Sequence, residues 1–423
     1  MNRNKTALAA PIAAALLAAA VTTATPAAAA YGSPWHSAWG ASPQAPTHTD
    51  WFPNWSEQGF RDQSVRQVVR AGAQGGELRV RLSNAYGKAP LRLAGATVAK
   101  SAGGAAVRPE TVRTLRFGGS ATTTVPAGAE LSSDAVALPV QAFEQLTVTL
   151  WFQGPTGPAT FHNVAMATSF RADGNHLRDA AADAFSAAGD QSFSWYYLAG
   201  IDVKDPAAPG PRRSAVVTFG DSLSDGFGAT PGADRRYSDA LAGRLAALGT
   251  PRPVLNAGIG GNKVLTDSPC FGESALNRFR RDALGRPDTA AVIVLEGTND
   301  IVQPDGVQDR CTTGPRVTAQ QIIAGYRELI REAHARGVRI IGGTIPPYGE
   351  SGYWTARGEE VRAEVNRWIR TSGAYDAVVD FDRAVADPEH PQNLKAEFAF
   401  ADRLHLNDAG YRAMAEAVDV NAL

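Results

Sequence analysis

The chain has 423 residues, 44% hydrophobic and 20% charged, the balance of an ordinary globular protein with room for two or three domains. Lys and Arg number 41 against 42 Asp and Glu, a net charge of −1. No basic excess draws it to nucleic acid or an anionic membrane, and no acidic excess marks it as disordered.

The first thirty residues read as a leader. Arg3 and Lys5 precede an alanine-rich apolar run, Ala7–Val21, broken only by Pro11, and Ala28-Ala29-Ala30 offers a small-residue cleavage site. A membrane-spanning helix needs about 20 apolar residues; this run is shorter and ends in Thr and Pro. Residues 1–30 are therefore expected to be a signal peptide and the mature protein to be secreted, with no integral membrane segment after cleavage. The chain's two cysteines, Cys270 and Cys311, form an even set in an exported chain and are expected to pair as a disulfide. With no histidine at ligand spacing they do not make a zinc site, and no metal is expected.

From residue 31 to 204 the pattern is β. Leu78, Val80 and Leu82 alternate with Glu77, Arg79 and Arg81, and Leu146, Val148, Leu150 and Phe152 alternate with Thr147, Thr149 and Trp151. Further short apolar runs fall at Leu91–Val98, Arg113–Phe117, Thr160–Met166 and Phe193–Val203, separated by Gly, Pro and Ser. Many short strands at this spacing predict an all-β sandwich or jelly roll. Its aromatics, among them Trp39, Trp55, Trp151 and Trp195, serve either as core packing or as a sugar platform. His36, His48, His162 and His176 lie here, and nothing in their surroundings gives them a catalytic role.

Residues 205–213, Asp-Pro-Ala-Ala-Pro-Gly-Pro-Arg-Arg, read as a linker. Beyond it strands and helices alternate. Strands are expected at Val216–Phe219, Val254-Leu255, Ala290–Leu295, Val338–Ile341 and Ala377–Phe381. Helices are expected at Tyr237–Leu248, Thr318–Arg336 (capped by Thr318 and ended by Gly337), Glu359–Ile369 and Asn407–Val418. This alternation predicts a parallel sheet covered on both faces over residues 214–423. In such a fold the site lies beyond the carboxyl ends of the strands. That rule gathers Ser222, the glycine loop Asn256–Asn262, Gly297–Asp300 and the pair Asp402 and His405 at one rim.

Hydrolysis of an ester at neutral pH needs a nucleophile, a base and donors for the developing oxyanion. Ser222 supplies an oxygen. The histidines of this half are His334, His390 and His405. His334 falls on a helix face among polar neighbours. His390, in Asp387-Pro-Glu-His390, repeats the D-x-x-H spacing of Asp402-Arg-Leu-His405, but it stands between prolines with no helix behind it. His405 opens an amphipathic segment and is the preferred base. A carboxylate three residues earlier can fold back to the Nδ1 side of the ring and leave Nε2 to the serine. Gly258, Gly260 and Gly261 each qualify as a backbone donor, and Asn299 as a side-chain donor. The glycine run fits neither phosphate-loop pattern, since Lys263 follows at the wrong spacing.

Taken together, residues Val216 to Val418 resemble the SGNH, or GDSL, hydrolase family. Its blocks stand here as Gly220-Asp221-Ser222-Leu223-Ser224, Asn256-Ala-Gly-Ile-Gly-Gly-Asn262, Gly297-Thr-Asn-Asp300 and Asp402-Arg-Leu-His-Leu-Asn407. The resemblance implies a flavodoxin-like three-layer α/β/α domain and a serine esterase that uses no metal or cofactor. It implies Ser222, His405 and Asp402 as the catalytic set, with Gly261 and Asn299 in the oxyanion hole. The G-x-S-x-G elbow of the α/β-hydrolase class is absent around Ser222. The β region resembles, more weakly, the accessory domain of some secreted bacterial members. The expected substrate is a small-molecule or polysaccharide ester, foremost the acyl (acetyl) groups of plant polysaccharide. A lipase or phospholipase-like esterase acting on longer chains is the alternative, and a non-catalytic binding protein on the same scaffold the second.

Overall fold

The computed structural model describes Met1 and residues 35–48, 53–186, 191–204, 214–306, 310–312 and 314–423. The expected signal peptide beyond Met1 and the linker at 205–213 lie outside the described residues.

The N-terminal region is antiparallel β. One sheet pairs Trp35–Gly40, Leu198–Lys204, Gly75–Ser83 and Val136–Val140 in that order, and Glu130–Ser132 joins it beside Gly75–Ser83. The second is built on Ser169–Asp173, Gln63–Arg70, Gln145–Phe152 and Gly95–Gly103, with shorter strands at its edges. Leu78, Val80, Leu82 and Ile201 of the first sheet pack on Val65, Val98, Leu146, Val148 and Leu150 of the second, so the two sheets share one apolar core. Trp39, Trp55, Trp195, Tyr196 and Tyr197 belong to that core, and Trp55 stacks on Tyr196 at 5.2 Å. These five aromatics are packing, not an exposed platform. The alternation along Gln145–Phe152 hides a second buried face: Thr147 and Thr149 are buried too, because Arg66 bonds Thr149 (3.3 Å) and lies over the Phe185 ring at 4.2 Å.

The C-terminal region is a five-stranded parallel sheet. Its order is Val254–Gly258, Ala215–Gly220, Thr289–Leu295, Arg339–Gly343 and Ala377–Val379, so the region's first two strands exchange places in space and the rest follow in chain order. Among the described residues eight α-helices connect or follow these strands: α1 (Ser222–Asp225), α2 (Tyr237–Ala247), α3 (Ala275–Asp282), α4 (Thr298–Val302), α5 (Ala319–His334), α6 (Ala356–Thr371), α7 (Phe381–Val385) and α8 (Asp408–Ala417). Val217, Phe219, Val292 and Val294 face Phe279 of α3, Ile322 and Tyr326 of α5 and Val365 of α6. The alternate residues Val216, Ala291 and Ile293 face Tyr237 and Leu241 of α2, Phe381 of α7 and Met414 of α8. Alternating strand residues thus cover two helical layers, which is the three-layer α/β/α arrangement. Thr318 caps α5 by accepting from the Gln321 amide, and Asn407 caps α8 by accepting from Ala409 and Gly410. Among the described residues no helix is long and apolar enough to cross a membrane.

Cys270 and Cys311 are joined, with Cα atoms 5.2 Å apart. The bridge ties the segment after the glycine loop to the segment after α4. It closes a loop of 41 residues, which on the chain-entropy model stabilises the fold by about 4 kcal/mol. Thiol titration of denatured, unreduced protein should therefore find no free thiol, and reductant should lower the melting temperature. Two titratable thiols, or a melting curve indifferent to reductant, would contradict this.

Candidate active site

Ser222 leaves the end of strand Ala215–Gly220 as the first residue of α1. Asp221 caps that short helix, its Oδ1 accepting from the Leu223 amide at 3.0 Å, and Gly226, with φ 105°, ends it after four residues. The serine is 7% exposed. His405 Nε2 lies 2.7 Å from Ser222 Oγ, across 183 positions of sequence. On the other side of the ring, Nδ1 lies 2.6 Å from Asp402 Oδ2. Asp402 Oδ1 accepts from the amides of Leu404 (3.1 Å) and His405 (2.9 Å), a tight turn made possible by Arg403 at φ 59°. Burial raises the Asp402 pKa, but the His405 ring and these two amides outweigh it and hold the carboxyl at about 2. The carboxylate is therefore charged throughout the neutral range and orients the ring with Nδ1–H toward itself, leaving Nε2 to accept from the serine. Phe227 packs on the ring at 4.4 Å between centroids and is itself held by the Tyr411 hydroxyl, which donates to its carbonyl at 2.6 Å.

The three candidate glycine amides are distinguished by their partners. Gly258 N donates to Asn256 Oδ1 (2.9 Å) and Gly260 N to Asp225 Oδ2 (2.9 Å). Gly261 N has no acceptor among the described residues, although its carbonyl accepts from Gln303 at 2.8 Å. Gly261 sits at φ 77°, and a Cβ there would lie 2.4 Å from the Phe271 ring, so the position demands glycine twice over. Asn299, in the first turn of α4, has a buried Nδ2 without a hydrogen-bond partner among the described residues. Ser222 N, first in its helix, has no intrahelical acceptor. The three donors stand at the ends of neighbouring strands: Gly220 pairs with Gly258 on one side and Leu295 on the other, and Ile259 N donates to Gly220 O at 2.9 Å.

The decoys stand apart. His390 is exposed, in a turn whose Asp387 accepts from the backbone of Glu389 and His390 instead of the ring. His334 pairs with Asp376 at the surface. Among the described residues no group of three or more His, Cys, Asp or Glu is arranged to hold a metal ion.

Several supporting residues had no signal in the sequence. Arg278 of α3 is fully buried and donates to Gly220 O (2.8 Å), Ala257 O (2.7 Å) and Asn262 Oδ1 (2.8 Å), bracing both strand ends. Three arginines share its helix, and nothing local marks this one. Asp300, the last residue of the Gly297–Asp300 block, accepts from Val264 (2.7 Å) and Leu265 (3.1 Å) and fastens the far end of the glycine loop. His162 of the β region reaches Asp225 of α1 at 3.0 Å.

A buried serine, a partly buried imidazole and a carboxylate stand in line beside unengaged amide donors, on a doubly wound parallel sheet, an arrangement able to carry out nucleophilic acyl transfer. Residues 218–413 match the model of the GDSL-like Lipase/Acylhydrolase family, so the C-terminal region is GDSL/SGNH-like, and an all-β region precedes it. Similar solved structures include a GDSL-like lipase from Bacteroides thetaiotaomicron, 17% identical over 50% of this chain and 88% of that one, with a TM-score of 0.36. Another is an acetylxylan esterase from Geobacillus stearothermophilus, 21% identical over 49% and 93%, with a TM-score of 0.37. A third is an acetyl xylan esterase, 21% identical over 48% and 96%, with a TM-score of 0.38. No curated protein matches the chain.

Burial pushes both Asp221 and Asp300 up to about 6. A carboxyl raised above its unfolded value stabilises the fold at low pH and loses that contribution as pH rises through the folded value. Asp402 has the opposite sign and acts only as pH falls toward 2. Between pH 4 and 7, then, Asp221→Asn should flatten the decline of melting temperature with pH relative to the parent. An unchanged or steeper slope would contradict the burial argument. Gly261→Ala should lower kcat/KM at least tenfold, and retention of full activity would remove Gly261 from the site.

Proposed function

We propose that this protein is an exported serine esterase in which Ser222 is the nucleophile, His405 the general base and acid, and Asp402 the group that orients the ring. The observation that carries the reading is the continuous line Asp402–His405–Ser222, at 2.6 and 2.7 Å. Ser222 Oγ attacks the acyl carbonyl while its proton passes to His405 Nε2. The oxyanion takes hydrogen bonds from Ser222 N, Gly261 N and Asn299 Nδ2. Collapse breaks the ester bond, and the imidazolium gives its proton to the departing alcohol. A water, deprotonated by the same nitrogen, attacks the acyl-enzyme through a second tetrahedral intermediate, and the carboxylic acid leaves as Ser222 recovers its proton. Each oxyanion donor is worth roughly 3–4 kcal/mol of transition-state stabilisation.

The substrate we favour is the short acyl ester, foremost acetyl, of a plant polysaccharide met outside the cell. The leader-like residues 1–30 support export. The charged rim supports a polar alcohol portion: Arg403, next to Asp402, pairs with Glu350 at 3.8 Å, and both are substantially exposed. The exposed Phe400, edge-on to Phe227 at 5.9 Å, favours the second reading, an esterase or lipase of longer acyl chains. A non-catalytic binding role is disfavoured by the intact line of Ser222, His405 and Asp402.

Ser222→Ala and His405→Ala should each cut hydrolysis of p-nitrophenyl acetate by roughly 10⁴-fold or more, and His390→Ala should leave it unchanged. Loss in the His390 variant with retention in the His405 variant would move the base. Initial rates on p-nitrophenyl esters from acetate to palmitate should fall with chain length. A maximum at medium or long chains would replace the polysaccharide reading with lipolysis.

A further inference from the structure

The mechanism above uses nothing from the β region, yet that region reaches the loop carrying Gly261. His162 lies on the short strand Phe161–His162, buried, with its ring stacked on Trp195 at 5.5 Å. Its Nε2 donates to Asp225 Oδ1 at 3.0 Å, and its Nδ1 lies 3.0 Å from the carbonyl of Ser42. Asp225 is the last residue of α1, three beyond Ser222, and is also buried. Its other oxygen, Oδ2, accepts from Gly260 N at 2.9 Å, and its own amide donates to Asp221 O at 2.9 Å. Asp225 thus joins the nucleophile's helix, the glycine loop and the β region. A buried carboxylate needs its donors, because removing one leaves the charge uncompensated and frees the group to move. Of the two donors on its oxygens, the one supplied from outside the hydrolase domain is His162.

We propose that His162 is a positioning residue: through Asp225 it fixes the Gly260 amide, and with it the direction of the adjoining Gly261 amide, so that the β region completes the oxyanion site. The proposal rests on the reading of Gly261 as an oxyanion donor. It makes the β region part of the catalytic apparatus instead of an appended module.

The test compares the parent, Ser222→Ala, His162→Phe and His162→Gln as full-length secreted chains on p-nitrophenyl acetate, with folding checked by circular dichroism at the assay temperature. Phenylalanine keeps a ring against Trp195 and removes the N–H that Asp225 accepts; glutamine keeps one N–H for Asp225 and removes the ring. The expected result is a kcat at least tenfold lower in His162→Phe with KM within twofold, and a kcat within about threefold of the parent in His162→Gln. A role in packing alone gives the reverse order. If the phenylalanine variant does not fold, His162→Leu, smaller and equally without donors, takes its place under the same criterion. Parental kcat in the folded donor-free variant, or a loss in the glutamine variant as large as in the donor-free one, overturns the proposal. Activity retained by Ser222→Ala would instead sink the serine-esterase reading, so the two failures are distinguishable.

Discussion

One buried guanidinium holds the strand ends from which the site is built. Arg278 donates to the carbonyls of Gly220 and Ala257 and to the side chain of Asn262, and lies over the Phe219 ring at 4.0 Å. The residue after Gly220 begins the turn to Ser222, and Ala257 and Asn262 flank the glycine loop. An unpaired cation in such a place would cost several kcal/mol. Asp282 and Glu296 stand 3.4 and 3.5 Å from it. Glu296 is driven well above the usual carboxylate range, by burial first and by the charge of Asp221 next, with Arg278 opposing. The cation and the carboxyls behind Ser222 are therefore mutually dependent, and the loops in front inherit their geometry.

The β region is fastened to this scaffold at several points. The Ser37 amide and hydroxyl donate to Asp288 at 2.7 and 2.8 Å, Arg236 donates to Ala165 O at 2.9 Å, and the Tyr86 hydroxyl donates to Glu273 at 2.8 Å. Ser42 lies beside both His162 and Arg278, at 3.0 and 3.5 Å. The two regions share polar groups buried between them, and such groups hold a contact in one register because any slip leaves donors and acceptors unpaired.

Much of this was legible in the sequence where a local pattern has a local cause. The apolar run before Ser222 is a central strand, and the Thr318 and Asn407 caps are where their residue types predict. Asp402 and His405 meet because three residues and one left-handed turn bring them together. Elsewhere the signal was blunted. The strand expected at Val254-Leu255 runs on to Gly258, since Asn256, Ala257 and Gly258 pair with Thr218, Phe219 and Gly220 without adding an apolar pattern. The run Thr160–Met166 yields a strand only at Phe161–His162; Met166 sits at φ 49°, in a left-handed turn. Arg278 and His162 were invisible because their partners lie tens to hundreds of positions away. Only the fold brings a helix arginine to a strand carbonyl, or a β-region histidine to the nucleophile's helix.

In the proposed reaction the atom that bonds to substrate is Ser222 Oγ, activated by His405. The most direct test is to expose the protein to a fluorophosphonate and locate the adduct by peptide mass spectrometry. One phosphonyl group per chain on Ser222, formed at a rate that collapses in His405→Ala, is the predicted result. An adduct on a different serine, or labelling of Ser222 that is indifferent to His405, would contradict it.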